Sequence, residues 1–270
     1  MPTKSSASLK DTQSEPDHRK IAIDRVGVKT LRYPIQVRDR ASGKLQSTVG
    51  VFTLTVDLPH HFKGTHMSRF IEVLNEHGPI FQVSNIHTML DRLLDRLHSE
   101  EAHIILEFPF FLEKAAPVSG SKGLIDYGVR FEAGRRRKGD FDFIITVTVP
   151  VTTLCPCSKS ISKYGAHNQR GHVNLAVRFR KHIWIEELIR LVENCASSEL
   201  FSLLKRPDEK FVTERAFENP VFVEDLVRAV ASQAKENTEI TWFRVEAENF
   251  ESIHNHNAYA MVEGVGRGSR

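Results

Sequence analysis

The sequence predicts an α+β fold made of two tandem ββααββ units, in which antiparallel sheets carry helices on one face. Runs of alternating apolar and polar residues, typical of strands, flank two segments with helical periodicity between residues 20 and 138. The same order of elements recurs between residues 139 and 264, although the two halves share no obvious sequence identity. With 40% hydrophobic residues, the chain of 270 residues can bury a large core.

The first predicted unit follows a polar arm. Residues 1–19 have no periodicity and a composition typical of disorder. Alternation predicts strands over 21–38 and 47–58, joined through a turn at Gly43. Pro59 ends the second strand, and a polar loop leads to helices over 68–76 and 85–98. Two further strands, over 103–111 and 123–133, complete the unit.

The second predicted unit repeats this plan. Strands are predicted over 141–153 and 172–180, followed by an amphipathic helix over 183–195. The polar segment 205–215 is expected to be irregular. Asn219 as N-cap and Pro220 at the first helical position predict a helix to residue 235. Strands over 239–250 and 257–262 follow, and residues 265–270 form a short tail.

Charge and cysteine content exclude several classes of partner. Lys plus Arg number 37 against 34 Asp plus Glu, which does not indicate a nucleic-acid-binding protein. The one dense basic cluster, 135–138, is typical of a solvated turn. No apolar run is long enough to span a membrane, and residues 1–20 do not resemble a secretory signal. Three cysteines favour a reducing compartment, so we expect a cytoplasmic protein.

The connection from 154 to 170 is the most informative stretch. It joins two predicted strands but is much longer than a hairpin requires. It contains Cys155, Cys157 and His167. Pro156 favours an extended backbone, which would direct both thiols to one side. Thiolate and imidazole groups bind borderline-soft metals. The spacing alone leaves a metal or catalytic site and simple packing of cysteines both open.

Five segments carry a resemblance to a known family. The segments are Ile21-Ala-Ile-Asp-Arg-Val-Gly-Val, Asp57-Leu-Pro-His-His-Phe-Lys-Gly-Thr-His-Met-Ser-Arg69, Leu154-Cys-Pro-Cys-Ser-Lys with Tyr164-Gly-Ala-His-Asn-Gln-Arg, Lys205-Arg-Pro-Asp-Glu-Lys210, and Glu248-Asn-Phe-Glu-Ser-Ile-His-Asn-His256. Together they resemble the type IB GTP cyclohydrolases, prokaryotic enzymes that open the folate pathway. The resemblance extends from about residue 21 to residue 262.

The resemblance implies a particular fold and assembly. Members of this family have the tunnelling fold, whose units join sheet edge to sheet edge into barrels. We therefore expect a homo-oligomer, a tetramer, with active sites between subunits. Such pairing also covers open sheet edges, which are otherwise prone to aggregation.

The resemblance also implies a catalytic metal site. Cys155, His167, Glu209 and His254 match its metal ligands, and the mixed donor set suits zinc, manganese or iron. The implied reaction converts GTP and water to formate and 7,8-dihydroneopterin triphosphate, the first step of tetrahydrofolate biosynthesis. A divalent cation would lower the pKa of water to about 7. Besides Cys155 and His254, Cys157 is a catalytic candidate, for proton transfer or orientation of the purine.

Substrate recognition is expected to use residues from other motifs. By resemblance, the carboxylate of Glu224 accepts hydrogen bonds from N1–H and the 2-amino group of guanine. Candidates for the triphosphate are His60, His61 and Lys63, and spacing does not choose between these and three further cations, Arg69, Lys159 and Lys163. Neither a Walker-type glycine loop nor a dinucleotide fingerprint occurs in the sequence.

Two alternatives remain at the level of sequence. One is a nitrile reductase of the same fold, which would use a cysteine nucleophile and NADPH. That alternative explains one thiol but leaves His167, Glu209 and His254 without a joint purpose. The other is a non-catalytic metal-binding assembly protein.

Overall fold

A computed structural model describes residues 13, 15–40 and 43–269. Most of the predicted disordered arm, residues 1–12 and 14, lies outside the described residues. Of the rest of that segment, Pro16 forms an antiparallel bridge with Phe62.

Nine strands, six α-helices and one short 3-10 helix (Arg267–Ser269) form the regular structure of the described residues. The strands are β1 (Ile23–Arg38), β2 (Leu45–Leu58), β3 (Glu101–Ala115), β4 (Lys122–Arg136), β5 (Phe141–Leu154), β6 (Asn168–Phe179), β7 (Ser198–Glu199), β8 (Ile240–Asn249) and β9 (Ala258–Val265). The helices are α1 (Met67–His77), α2 (Val83–Leu97), α3 (Pro156–Ile161), α4 (Ile185–Glu193), α5 (Arg206–Glu218) and α6 (Val223–Glu236).

The strands pair in the order β1-β2-β3-β4-β5-β6-β8-β9, and the short β7 pairs with β5. Strand β5 is antiparallel to β6, β6 to β8, and β8 to β9. The β5–β6 register runs from Ile145 opposite Val177 to Leu154 opposite Asn168. This antiparallel sheet with helices confirms the predicted α+β class.

Contacts between Cα atoms divide the chain into two compact units. The first comprises Met1–Val37, Val51–Leu106 and Glu132–Asp142, and the second comprises Arg38–Gly50, Glu107–Phe131 and Phe143–Arg270. Boundaries at 20, 138 and 264 remain a prediction for the tandem units.

Each unit has its own core. In the first, one face of α1 and α2 is buried, including Phe70, Leu74 and Leu90. In the second, β5 alternates buried and partly exposed residues, which is the pattern of a strand with one face on a core. Helix α6 packs on β8 and β9, and its buried residues include Leu226 and Val230.

Two predictions about helix positions were wrong. Segment 205–215 is not irregular, because Lys205 is the N-cap of α5 and residues 206–215 lie within that helix. The Asp208 side chain accepts the Lys205 N–H and so caps the helix start. Asn219 does not begin the next helix, because it is the C-cap of α5, and α6 begins at Val223. Pro220 therefore follows a helix end, which is also a common position for proline.

No helix among the residues described is both long and apolar enough to cross a membrane.

Candidate metal and substrate site

The two cysteines of the 154–170 connection lie at the start of α3. The prediction that Pro156 keeps this segment extended is wrong, because Pro156 occupies the first helical position, where its missing N–H costs no hydrogen bond. Cys155 is the extended N-cap, and its Sγ accepts the Ser158 N–H at 3.4 Å. Cys157 lies in the first turn and is exposed. The two-residue period of a strand therefore does not align these thiols.

Backbone pairing brings Cys155 and His167 together. The Cys155 N–H donates to the His167 carbonyl oxygen at 3.1 Å, one step beyond the last β5–β6 pair. The Ser158 hydroxyl donates to the Cys155 carbonyl and accepts the His167 N–H, both at 3.2 Å. These contacts hold two of the four predicted ligands on adjacent strand ends.

The His167 ring is held on one side by a polar cluster. Its Nδ1 lies 3.0 Å from Oε1 of Gln169, whose Nε2 donates to Thr153 Oγ1 at 3.0 Å. Glu251 Oε2 lies 3.9 Å from the same Nδ1, and the Glu251 and His167 side chains are 12% and 14% exposed. Contacts at Nδ1 leave Nε2 as the ring nitrogen that can act as a ligand.

The other two predicted ligands are more exposed. His254 and His256 lie in an irregular segment before β9, and their rings stack with centroids 5.2 Å apart. Glu209 is exposed in the first turn of α5. Within the described part of the chain, no group of three or more His, Cys, Asp or Glu side chains is arranged to hold a metal ion. The structure thus brings Cys155 and His167 together and does not gather all four.

Predicted substrate residues lie in both compact units. Glu224 is exposed in the first turn of α6. In the first unit, the His60 and His61 rings meet edge to face, with centroids 5.4 Å apart. Lys63 Nζ lies 3.0 Å from Glu15 Oε2, so this predicted phosphate ligand already has a carboxylate partner.

Two further cationic candidates, Lys159 and Lys163, flank the end of α3. Lys159 Nζ donates to the Phe217 carbonyl oxygen at 2.5 Å and lies 4.4 Å from the centre of the Phe217 ring. Lys163 Nζ lies 5.4 Å from the centre of the Tyr164 ring. Lys159 therefore connects α3 to the last turn of α5.

Asp208, next to the predicted ligand Glu209, is a structural carboxylate. It is fully buried and accepts the N–H groups of Val118, Ser119 and Lys205 at 2.8 Å and the Ser119 hydroxyl at 2.6 Å. Burial alone would raise the pKa of this carboxyl, but the hydrogen bonds outweigh it and hold the pKa well below its usual range. Asp208 thus fixes the start of the helix that carries Glu209.

The third cysteine has no place in this site. The Cys195 thiol donates to the Leu191 carbonyl oxygen at 3.3 Å, and burial raises its pKa to about 11. A thiol that stays protonated at neutral pH is a poor metal ligand and a poor nucleophile.

Two solved structures share this fold over most of the chain. Urate oxidase from Bacillus subtilis 168 is 9% identical, with a TM-score of 0.54 over 91% of this chain and 100% of that one. A urate oxidase mutant from Bacillus sp. TB-90 is 8% identical, with a TM-score of 0.52 over 90% of this chain and 100% of that one. At such low identity the likeness shows the fold alone, and the fold is the tunnelling fold that the resemblance had implied.

Sequence comparison defines the family. A family model described as type I GTP cyclohydrolase folE2 matches residues 9–260. Proteins named GTP cyclohydrolase FolE2 are 60% identical in Akkermansia muciniphila, over 94% of this chain and 97% of the relative, and 56% identical in Magnetococcus marinus, over 95% and 96%. The chain therefore belongs to the type I GTP cyclohydrolase FolE2 family. These matches support neither the nitrile reductase nor the assembly-protein alternative.

Sequence reasoning missed the residues that support the site. Gln169 and Glu251 both lie inside the motifs that carry the resemblance, but no role was assigned to them. A signal for Gln169 was available, because it follows His167 by two residues, the spacing of same-face residues in a strand. The predicted strand began at residue 172, whereas β6 begins at Asn168, which hid that relation.

We expect Asp208→Asn to lower the free energy of unfolding near neutral pH, because an amide NH₂ cannot accept the hydrogen bonds made by a carboxylate oxygen. The folded-state pKa is depressed below the unfolded value of about 3.9, so this stabilisation is complete above that pH. It is lost as the pH falls through the folded-state pKa. The difference between the variant and the wild type should therefore shrink in acid, as measured by urea unfolding across a pH series.

Asp225→Asn is the matched control, because Asp225 is exposed and pairs with Arg228 at the surface. Its effect should be small at every pH. An Asp208→Asn deficit that stays constant from neutral pH to about pH 3 would contradict the assignment.

Proposed function

We propose that this chain is a metal-dependent GTP cyclohydrolase of type IB, which converts GTP and water to formate and 7,8-dihydroneopterin triphosphate. The observation that carries the proposal is the family match over residues 9–260, with relatives of that name up to 60% identical. The reaction opens the five-membered ring of guanine at C8 and releases that carbon as formate. Rearrangement of the ribose and closure of a new ring then give the pterin, in the first step of tetrahydrofolate biosynthesis.

The proposed metal ligands are Cys155, His167, Glu209 and His254, which would hold zinc, manganese or iron. Their chemistry fits, because thiolate, imidazole and carboxylate donors together suit these cations. The fit is supported by the Cys155–His167 backbone pairing, and by the contacts at His167 Nδ1 that leave Nε2 available. When bound, such a cation supplies Lewis acidity and lowers the pKa of water to about 7.

Two residues of this chain are proposed to move protons. Water that attacks C8 must lose a proton, and the ring nitrogen that leaves C8 must gain one. Cys157 is exposed in the first turn of α3, two residues from Cys155, so its thiol is available for that transfer. His254 is exposed beside His256, and its ring can also take part when it is not occupied as a ligand.

Guanine binding is assigned to Glu224. Its carboxylate can accept both N1–H and the 2-amino group in one plane, and its position in the first turn of α6 leaves it exposed. His60, His61 and Lys63 are proposed for the triphosphate. Because Lys63 pairs with Glu15, phosphate binding would replace that ion pair.

Assembly into a homotetramer with sites between subunits is part of the proposal. A complete metal and substrate site requires more groups than the Cys155–His167 pair. The other proposed groups, Glu209, Glu224 and His254, are exposed in the single chain and so are available to a site that a second subunit completes. A cytosolic location is supported by three free cysteines among the described residues, which is usual for a reducing compartment.

The activity itself is tested with GTP and the purified chain. We expect formate release and a fluorescent pterin after oxidation of the product, loss of both on exhaustive chelation, and recovery with zinc, manganese or iron. Full turnover in protein shown by elemental analysis to lack metal would overturn the metal-dependent mechanism. NADPH consumption with a deazaguanine nitrile, without GTP turnover, would favour the reductase alternative.

The two cysteines of the 154–170 connection should differ in their effects on metal content and turnover when each is replaced by alanine. Cys155→Ala should lose bound metal and activity together, because it removes a ligand. Cys157→Ala should retain its metal while turnover falls by about 10²–10⁴-fold, the usual value of positioned proton transfer. Metal content per chain and GTP turnover are measured on the same preparations.

Cys195→Ala serves as the control, because Cys195 is a partly buried thiol with no role in the proposal. Loss of metal from Cys157→Ala, with retention by Cys155→Ala, would reverse the assignment. Normal activity in both variants would show that the two cysteines contribute only to packing and not to metal binding or catalysis.

Glu224→Gln should raise KM for GTP by about 10- to 150-fold, equivalent to about 1.5–3 kcal/mol for a hydrogen bond to a charged group. Glu236→Gln, at the far end of α6, is the matched control and should leave KM unchanged. Mixing Glu224→Gln chains with Cys155→Ala chains should restore part of the activity if the two residues reach one site from different subunits. A fully active monomer across a dilution series would contradict the assembly.

A further inference from the structure

The pairing of β5 with β6 places three polar side chains in a row. Thr153 lies directly opposite Gln169 in the antiparallel register, so their side chains share one face of the sheet. His167 precedes Gln169 by two residues, which favours the same face. Thr153 is fully buried and Gln169 is 8% exposed, so water has little access to either side chain and does not compete for the hydrogen bond between them.

The hydrogen bonds in this row have a direction. Gln169 Nε2 donates to Thr153 Oγ1 at 3.0 Å, which leaves Gln169 Oε1 as an acceptor facing His167 Nδ1 at 3.0 Å. A neutral imidazole that donates from Nδ1 carries its lone pair on Nε2.

A nearby carboxylate favours the same direction. Glu251 Oε2 lies 3.9 Å from His167 Nδ1, and both side chains are largely buried. The Phe250 N–H donates to the Arg170 carbonyl oxygen at 2.9 Å and so holds the end of β8 beside the start of β6. In the reverse arrangement the Gln169 amide would donate to an unprotonated Nδ1. The lone pair of Nδ1 would then lie close to the negatively charged Glu251 carboxylate, which is unfavourable.

We propose that Gln169, anchored by Thr153 and assisted by Glu251, is a positioning residue that keeps the proton on His167 Nδ1 and directs Nε2 toward the metal. This inference rests on the proposed role of His167 as a ligand. Gln169 itself does not contact the metal or GTP.

The expected contribution follows from the way such residues act elsewhere. A carbonyl or carboxylate that accepts the second ring N–H of a ligating histidine fixes both tautomer and ring orientation. Loss of such a partner typically weakens metal binding by about 10- to 100-fold. Without its acceptor, the His167 ring would rotate and populate the other tautomer before each binding event.

The first experiment needs neither metal nor activity. Long-range proton–nitrogen NMR correlations on metal-free, ¹⁵N-labelled protein identify which ring nitrogen of His167 is protonated, and a His167→Gln spectrum provides the assignment. We expect Nδ1–H in the wild type and a shift toward Nε2–H in Gln169→Leu. A wild-type ring that is protonated predominantly at Nε2 would overturn the proposal, even if no Gln169 variant folds.

The second experiment measures affinity for Co²⁺ alone, by competition with a chromophoric chelator. Gln169→Leu should weaken binding by about 10- to 100-fold, and Gln169→Glu should restore it, because a carboxylate still accepts from Nδ1 and Thr153 can donate to it. Gln233→Leu, at an exposed glutamine of α6, is the matched control and should bind as the wild type does. Equal affinity in Gln169→Leu and Gln233→Leu would overturn the proposal.

The outcomes separate this inference from the proposed function. A wild-type chain that neither binds Co²⁺ nor turns over GTP would refute the metal-dependent function, and with it the role of Nε2 as a ligand. A chain that is active and binds metal, but whose His167 tautomer does not respond to Gln169→Leu, would refute only the positioning role.

Discussion

The antiparallel pairing of β5 with β6 is the constraint on which the candidate site depends. Its register ends at Leu154 opposite Asn168 and is extended by the hydrogen bond from the Cys155 N–H to the His167 carbonyl. Two residues that are twelve apart in sequence are thereby fixed side by side. The same register sets Thr153 opposite Gln169, so the Gln169 contact with the His167 ring is held by the sheet.

A second, independent constraint fixes helix α5. Asp208 caps its start by accepting the Lys205 N–H and anchors it by accepting from the 118–119 turn, while Arg215 in its last turns pairs with Glu199 at 3.1 Å. Glu199 in turn accepts from Lys114, which also contacts Glu193. This partly buried charge network and the buried Asp208 carboxylate tie both ends of α5 to its neighbours, even though Glu209 on its surface is exposed.

The sequence predicted what depends on a repeated pattern and missed what depends on single residues. Long strands such as β5 were predicted closely, because a half-buried strand repeats its burial every two residues. Helix α5 was missed because it buries only Asp208 and Ala216, so its apolar periodicity is weak. A proline at position 156 is compatible with an extended segment and with a helix start. Only the structure, in which Cys155 caps α3, distinguishes the two. The family motifs suggested which residues would bind a metal, but spacing did not predict that the single chain brings only Cys155 and His167 together.

The proposed ligands differ in how firmly their side chains are held before a metal binds, and this difference has an energetic consequence. Cys155 and His167 are held by backbone and side-chain hydrogen bonds before any cation arrives, whereas Glu209 and His254 are exposed. Ordering exposed side chains costs conformational entropy, so each of those two contributes less to affinity than its bond alone would suggest. If these four residues bind a metal as proposed, the preorganised pair would carry a larger share of the binding free energy, and the orientation of the His167 ring would matter more than in a fully rigid site.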